Sequence, residues 1–199
     1  MSRALDRLAS FDRYSATAER ASKQVIDAYS TSFGMATRLL GRRHRRHVRN
    51  IYALVRVADE LVDGVASEAG LTPLQQHRAL TALAEETASA LALGYSCNPV
   101  VHAFARTARE SGIDATLIDP FFSSMRADLP PLSEATSETA PSDHVVAFGF
   151  EAHRDYVHGS AEVVGLMCLR VFLREEPQDP EQRRMLEHGA RQLGPPSRT

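Results

Sequence analysis

Two aspartates four residues apart, with an arginine one turn before them, are the residues of this sequence best suited to chemistry. They lie in residues 52–64, which read YALVRVADELVDG in one-letter code. On an α-helix, carboxylates at this spacing lie one above the other. Asp59 and Asp63 can therefore reach the same divalent cation, and Arg56 lies on the same side of the helix.

This group of side chains is suited to binding a diphosphate. Mg²⁺ is commonly held by one or two carboxylates, while substrate phosphates and water complete its shell. A guanidinium adds a planar fork of donors that matches phosphate oxygens. Acidic residues at the same spacing also occur on solvated helix faces that bind nothing. The spacing alone therefore leaves both interpretations open.

The wider pattern resembles the squalene/phytoene synthase family of head-to-head isoprenoid synthases. Arg-x-x-Asp-Glu-x-x-Asp follows Ile-Tyr-Ala-Leu, is closed by Gly64, and has Ser-Thr-Ser-Phe upstream at residues 30–33. The Asp-Glu-Leu-Val-Asp-Gly form is most similar to the phytoene synthase branch. The resemblance implies that Asp59 and Asp63 ligate Mg²⁺, for which Mn²⁺ could substitute, and that Arg56 holds a diphosphate.

Further residues become candidates for substrate binding through this resemblance. In the family a Ser-x-Ser-Phe stretch faces the substrate cavity, although such hydroxyls on their own favour bonding to the helix backbone. A Met-x-x-Asp-Leu element lies near the diphosphate, and a later helix with small residues borders the prenyl chain. The matching positions here are Ser30, Ser32, Phe33, Tyr52, Asp128, Tyr156, Ala161, Val164 and Gly165.

The elements that must position these residues are predicted to be helices throughout. The chain is rich in Ala, Leu, Arg and Glu, and no stretch shows the strict alternation of a strand. We predict a first helix over about 16–40, then a basic link and a second helix that carries the acid pair. Caps, prolines and glycines predict five more helices, near 73–93, 98–110, 114–125, 151–173 and 180–193.

Composition restricts the classes of function. The chain has 199 residues, of which 43% are hydrophobic and 24% charged, as expected of one globular domain. Cys97 and Cys168 have no zinc or disulfide spacing. The polar N-terminus shows no signal peptide, and no apolar run is long enough to span a bilayer. We therefore expect a soluble, cytoplasmic protein.

A basic run at residues 42–49, with five arginines, is the strongest local charge in the sequence. It could bind nucleic acid or an anionic membrane, but it has no interleaved aromatic residues, and the net charge of the chain is -2. A solvated helix start is the favoured interpretation. Nucleic acid is not expected as a partner, whereas peripheral contact with anionic lipid headgroups stays open.

The end of the sequence departs from the family pattern. In the family a Gly-Ala-x-x-Leu-Gly lead-in precedes a second acid-rich motif, and residues 189–194 match this lead-in. Pro195 and Pro196 follow, and prolines cannot continue a helix. We therefore expect a partial, C-terminally truncated domain over 1–199, with an aberrant tail at 195–199 that a frameshift would explain.

The resemblance implies an all-α isoprenoid-synthase-type bundle that joins two geranylgeranyl diphosphates head to head. The product would be phytoene, in carotenoid biosynthesis. Loss of the second acid-rich motif puts the activity of this chain in doubt, because several cations must neutralise the departing diphosphate. The alternatives are a squalene- or dehydrosqualene-type synthase that uses farnesyl diphosphate, a non-catalytic prenyl diphosphate-binding remnant, and a purely structural helical protein. The sequence has no nicotinamide motif, so NAD(P)H is not expected.

Overall fold

The chain folds into helices that pack around one central helix. The computed structural model describes residues 9–29, 37, 39–130, 132, 162–174, 185, 188 and 189, and none of these lies in a strand. The helices are α1 (Ser10–Tyr29), α2 (Arg42–Val62), α3 (Val65–Glu68), α4 (Pro73–Leu93), α5 (Pro99–Ser111), α6 (Ala115–Ala127) and α7 (Val163–Leu173). The prediction of an all-α fold is confirmed.

Three helices begin where the sequence predicts, because capping side chains fix their first turns. Thr72 and Gln75 form a reciprocal capping box at the start of α4. The side chain of Asn98 accepts hydrogen bonds from the first amides of α5, and that of Asp114 does so for α6. Such caps satisfy amides that have no partner within the helix.

The first two helices differ from the prediction. α1 begins at Ser10 rather than near residue 16, because a buried stripe at helical spacing already starts at Ser15 and continues to Ile26. Residues 30–36 and 38, which the prediction includes in the first helix, lie outside the described residues. The basic run is not a link. It forms the first turns of α2, which begins at Arg42 and fits the expectation of a solvated helix start.

The later part of the chain is described only in places. α3 is an additional four-residue helix that the sequence analysis did not predict. Of the helix predicted near 151–173, residues 163–173 are described as α7. Of the helix predicted near 180–193, only Met185, His188 and Gly189 are described, and all three are helical. No helix of the described ranges is long and apolar enough to cross a bilayer.

α2 is the helix around which the described fold is built, since it packs against all six of the others. Its buried stripe includes Ile51, Leu54 and Ala58, which join a core with Phe104 of α5 and Phe121 of α6. Burial of this kind contributes about 25 cal/mol for each Å² of apolar surface removed from water. Packing on all sides therefore holds the axis of α2, and so positions the polar side chains beside the stripe.

Charges follow one another along α2 in an order that opposes the helix dipole. Arginines occupy its first turn, whereas Asp59 and Glu60 lie in its last turn and Asp63 follows directly. A helix carries partial positive charge at its N-terminus and partial negative charge at its C-terminus, so both placements are unfavourable for the isolated helix. Such local conflicts are expected where function, rather than stability, determines the residue types.

Candidate cation and diphosphate site

The two aspartates lie where α2 ends. Asp63 follows the last helical residue with φ −84° and ψ 11°, and its N–H donates to the Asp59 carbonyl at 2.7 Å. This hydrogen bond keeps the two residues one helical turn apart. Gly64 then adopts φ 113°, a conformation that glycine favours, and turns the chain away into α3. The acid pair therefore ends the helix and borders a turn.

The carboxyl group of Asp59 lies in a strongly acidic environment. Its pKa is raised to about 6, mainly by burial and then by the charge of Asp63; Arg56 acts in the opposite direction, and the charge of Asp128 adds a smaller rise. Asp128 belongs to the end of a different helix, so the fold brings a third carboxylate into the electrostatic range of the pair. Sequence reasoning proposed Asp128 only from the family resemblance, because no local pattern connects it to α2.

Asp128 is positioned by the C-terminal end of α6, of which it is the capping residue. The next residue, Leu129, is buried in the core. The carbonyl of Pro130 then accepts a hydrogen bond of 2.9 Å from Nε2 of His77, a residue of α4. A carbonyl can only accept, so this nitrogen carries the proton. The segment that follows Asp128 is thus joined to α4 by this hydrogen bond.

Arg56 lies at the site, but its charge is directed to a residue outside the predicted set. Its guanidinium forms an ion pair with Glu60, one turn later on α2. Its Cζ also lies 4.7 Å from the centre of the Tyr29 ring on α1. The i, i+4 spacing of the ion pair is a sequence signal that could have identified Glu60. Tyr29 has no such signal, since it comes from another helix.

The remaining predicted residues are only partly described. Tyr52 is half-buried on α2, one turn before Arg56. Val164 packs against the core at the start of α7, while Gly165 is exposed, and a Cβ added to it would meet nothing within 4 Å. α7 itself packs against α2 and α6, the helices that carry the three aspartates. Five predicted residues lie outside the described residues, namely Ser30, Ser32, Phe33, Tyr156 and Ala161.

The donor set fits a hard divalent cation bound together with a ligand. Asp59 and Asp63 offer only carboxylate oxygens, the atoms that Mg²⁺ prefers. Across the described ranges, no three His, Cys, Asp or Glu side chains are grouped closely enough to hold a metal ion by themselves. A cation at this pair would therefore need water and ligand phosphates to complete its shell.

Two arginines of the basic run, Arg45 and Arg46, have structural partners within the fold. Arg45 donates to the Leu40 carbonyl at 2.8 and 3.2 Å, which fastens the chain that leads into α2. Arg46 contacts Glu110 of α5 at 3.2 Å and Glu19 of α1 at 3.8 Å. These contacts join α2 to its neighbours. Peripheral contact of the run with a membrane stays a prediction.

Ser15 and His102 are close enough to suggest a nucleophile and its base, but their hydrogen bonds exclude this. Oγ and Nε2 are 3.0 Å apart, and the Ser96 amide donates to Nδ1 of His102 at 3.4 Å. Because Nδ1 accepts, the proton of the neutral ring is on Nε2, which donates to Ser15; Ser15 donates in turn to the Phe11 carbonyl at 2.9 Å. A histidine that donates to a serine cannot deprotonate it, so this pair is structural.

Comparison with known proteins identifies the family of the whole chain. A search of curated proteins found no match. The family model described as "Squalene/phytoene synthase" matches residues 26–195, a range that contains α2 with both aspartates, Asp128 and α7. The chain therefore belongs to the squalene/phytoene synthase family, whose members are transferases that join isoprenoid diphosphates head to head.

Proposed function

We propose that this chain binds geranylgeranyl diphosphate with Mg²⁺ at the end of α2 and that its reaction is the head-to-head condensation to phytoene. The observation that carries the proposal is the position of Asp59, which lies one helical turn before Asp63 and within the electrostatic range of Asp63, Arg56 and Asp128. Excess negative charge at a half-buried position favours a cation, and a neighbouring arginine favours an anionic ligand bound to that cation.

In this proposal each described residue has one role. Asp59 and Asp63 would hold Mg²⁺, which would supply positive charge that stabilises a diphosphate leaving group; Mn²⁺ would serve in its place. Arg56 donates to diphosphate oxygens, and Asp128 adds to the negative field that attracts the cation. Tyr52 borders the diphosphate from the turn of α2 before Arg56.

The prenyl chain would lie along the start of α7. Gly165 has no side chain, and the space where a Cβ would stand is open, so an apolar ligand can approach the helix there. Val164 adds an aliphatic surface beside it. The remaining wall is proposed from the family resemblance alone and comprises Ser30, Ser32, Phe33, Tyr156 and Ala161.

The experiment is a calorimetric titration of the chain with geranylgeranyl diphosphate, with and without Mg²⁺. We expect binding that depends on Mg²⁺ and weakens by about 100-fold or more in an Asp59→Ala/Asp63→Ala variant, because each lost charged contact contributes about 1.5–3 kcal/mol. Asp119→Ala, which removes an exposed aspartate of α6, serves as the control. Equal binding with and without Mg²⁺ would contradict the proposal.

The same preparation distinguishes the finer alternatives. Formation of phytoene from geranylgeranyl diphosphate would establish the reaction. A preference for farnesyl diphosphate would assign the chain to the squalene or dehydrosqualene type. Metal-dependent binding without any hydrocarbon product would indicate a protein that binds prenyl diphosphate but does not convert it.

A further inference from the structure

We propose that Glu60 is a positioning residue that holds the guanidinium of Arg56 away from Asp59, so that the acid pair keeps its charge for a cation. The inference deepens the proposed function and rests on it. It concerns a residue that lies between the two proposed ligands in the sequence and is assigned no role as a ligand.

Arg56 has two acids within reach on its own helix. Asp59 is three residues ahead and Glu60 four residues ahead, and both spacings allow an ion pair. A pair with Asp59 would neutralise one of the two proposed ligands. In the structure the ion pair is made with Glu60. The choice between two adjacent acids therefore determines how much negative charge remains for a cation.

The pair between Arg56 and Glu60 is better shielded from water than an ordinary surface ion pair. The side chain of Glu60 is 15% exposed and that of Arg56 29%. Attraction between charges strengthens as the surrounding dielectric constant falls, and side chains packed by neighbours lose less entropy on pairing. The contact is thus able to hold the guanidinium in one place.

Tyr29 adds a second contact to the same guanidinium, from a different helix. The ring of Tyr29 belongs to the last residue of α1, and its centre is 4.7 Å from Cζ of Arg56. A cation over an aromatic face at this distance is attracted by the ring quadrupole. The guanidinium is therefore held by a carboxylate of its own helix and by a ring of the neighbouring one.

This arrangement keeps a positive group beside the acid pair without neutralising the pair. Glu60 is contacted through one terminal nitrogen of the guanidinium, and an arginine fork carries five N–H donors in total. Donors of the fork are thus left for an anion. The site can then attract a cation through Asp59 and Asp63 and a phosphate through Arg56, at neighbouring positions.

The test is a double-mutant cycle with Mn²⁺ alone as the probe, followed by electron paramagnetic resonance. The four proteins are the unmodified chain, Glu60→Gln, Arg56→Gln and the double variant. Glu60→Gln releases Arg56 to Asp59, so we expect Mn²⁺ binding to weaken about fivefold to tenfold. In the Arg56→Gln background the same change should have almost no effect. An equal loss in both backgrounds would show that Glu60 acts only as a negative charge, and would overturn the proposal.

Further variants separate this result from a general effect on the fold or on net charge. Tyr29→Phe keeps the aromatic face and should bind Mn²⁺ as the unmodified chain does, whereas Tyr29→Leu should show part of the Glu60→Gln loss. Glu68→Gln removes an exposed carboxylate of the short helix α3 and is the charge control. If the unmodified chain binds no Mn²⁺, the role of Glu60 fails, whereas the proposed function is decided by the titration with geranylgeranyl diphosphate, in which ligand phosphates complete the shell of the cation. If it binds and the cycle shows no coupling, only the role of Glu60 fails.

Discussion

At the scale of single residues, Asp59 combines a proposed role as a cation ligand with a cost in stability. Its carboxyl group is half-buried and faces the charges of Asp63 and Asp128, while the nearest guanidinium is paired with Glu60. The folded chain therefore opposes ionisation of this group. A cation bound by the pair would remove the opposition, which is the usual relation between a metal site and the stability of its protein.

Asp59→Asn is expected to stabilise the cation-free protein at neutral pH. Folding raises the pKa of Asp59 from 3.8 to about 6, so the folded state holds the proton more tightly than the unfolded state does. The loss of stability caused by ionising Asp59 in the folded state is therefore nearly absent below about pH 4 and complete above about pH 6. Allowing for screening of a half-exposed group by water, we expect a gain of about 1 kcal/mol in unfolding free energy at pH 7.5.

Urea unfolding in the presence of a chelator measures this gain, with Asp119→Asn as the control for an exposed aspartate. The gain should shrink to a small fraction at pH 4, where Asp59 is almost fully protonated in the folded state and partly protonated in the unfolded state. A gain of the same size at pH 4 would show that the charge of Asp59 is not its cause.

The sequence predicts the acid pair at this scale because helical spacing is a local property. Asp59, Asp63 and Arg56 could be placed on one side of a helix from their numbers alone. The partner of Arg56 could not be assigned in this way, since Asp59 and Glu60 are both within reach and Tyr29 comes from another helix. The approach of Asp128 depends on the packing of α6 and α4, which no pattern within α2 encodes.

At the scale of elements, the junction between α4 and α5 shows how a helix end is closed. Gly94 adopts φ 76° after the last residue of α4. The guanidinium of Arg109, on α5, donates to the carbonyls of Leu91 and Ala92 at 2.7 and 3.2 Å. These carbonyls have no partner within the helix. The end of α4 is thus closed by the glycine that follows it and by an arginine of α5.

Gly94→Ala is expected to lower the free energy of unfolding by about 1–2 kcal/mol. A left-handed conformation is unfavourable for a residue with a Cβ, and the new Cβ would lie 3.3 Å from Nη1 of Arg109. Gly165→Ala is the matched comparison, since a Cβ there meets nothing within 4 Å in the interior of α7. That variant should gain about 0.5–1 kcal/mol from helix propensity. Thermal unfolding of both proteins measures the difference, and a change of the same sign in both would contradict the argument.

The bounds of α4, α5 and α6 were predictable because each start is marked by a capping side chain, and α4 and α5 also end at glycines. The start of α1 carries a weaker signal, as small polar residues such as Ser15 and Ser22 share its buried stripe. The basic run was predicted both as a link before α2 and as a solvated helix start, and the structure agrees with the second. The contacts of Arg46 with two neighbouring helices could not be predicted, because they depend on the packed arrangement.

At the scale of the whole molecule, a buried polar cluster joins α1 to α5. His102 is fully buried, with Tyr14, Tyr95 and Phe11 around its ring. Its Nδ1 accepts from the Ser96 amide, and Nε2 donates to Ser15. Burial, and then the charge of Arg106, lower the pKa of His102. The neutral ring is therefore the form that holds α1 in place.

His102→Leu is expected to destabilise the protein by about 2–3 kcal/mol at pH 7.5, because it leaves buried hydrogen-bonding groups without their partner. The pKa of His102 is lower in the folded state, so the unfolded state takes up the proton first. The contribution of the neutral His102 ring to the free energy of unfolding is thus complete above about pH 6.5. It is lost as the pH falls through the pKa that His102 has in the folded state. Urea unfolding from pH 7.5 to 5 should show the two proteins converging. A constant difference over this range would contradict the assignment.

The family could be recognised from the sequence because its residue pattern is concentrated on α2 and its flanks, and the family match over residues 26–195 confirms the recognition. The choice between substrates of different length could not be predicted, because it depends on the depth of a cavity formed by several helices. Gly165 and Val164 would belong to the wall of the proposed cavity, but their spacing along α7 carries no information about how far such a cavity extends.

If a cation binds as proposed, the order of charges along α2 would couple its binding to the integrity of the helix end. Carboxylates at the negative pole repel one another and the last carbonyls, which weakens the final turn of α2. A cation that bridges Asp59 and Asp63 would cross-link that turn and cancel the repulsion. Part of the binding free energy of the cation would then be used to order the final turn. The observed affinity for the cation would therefore be lower than that of a turn that is already ordered. The end of α2 would thus act as a helix terminus that the ligand itself completes.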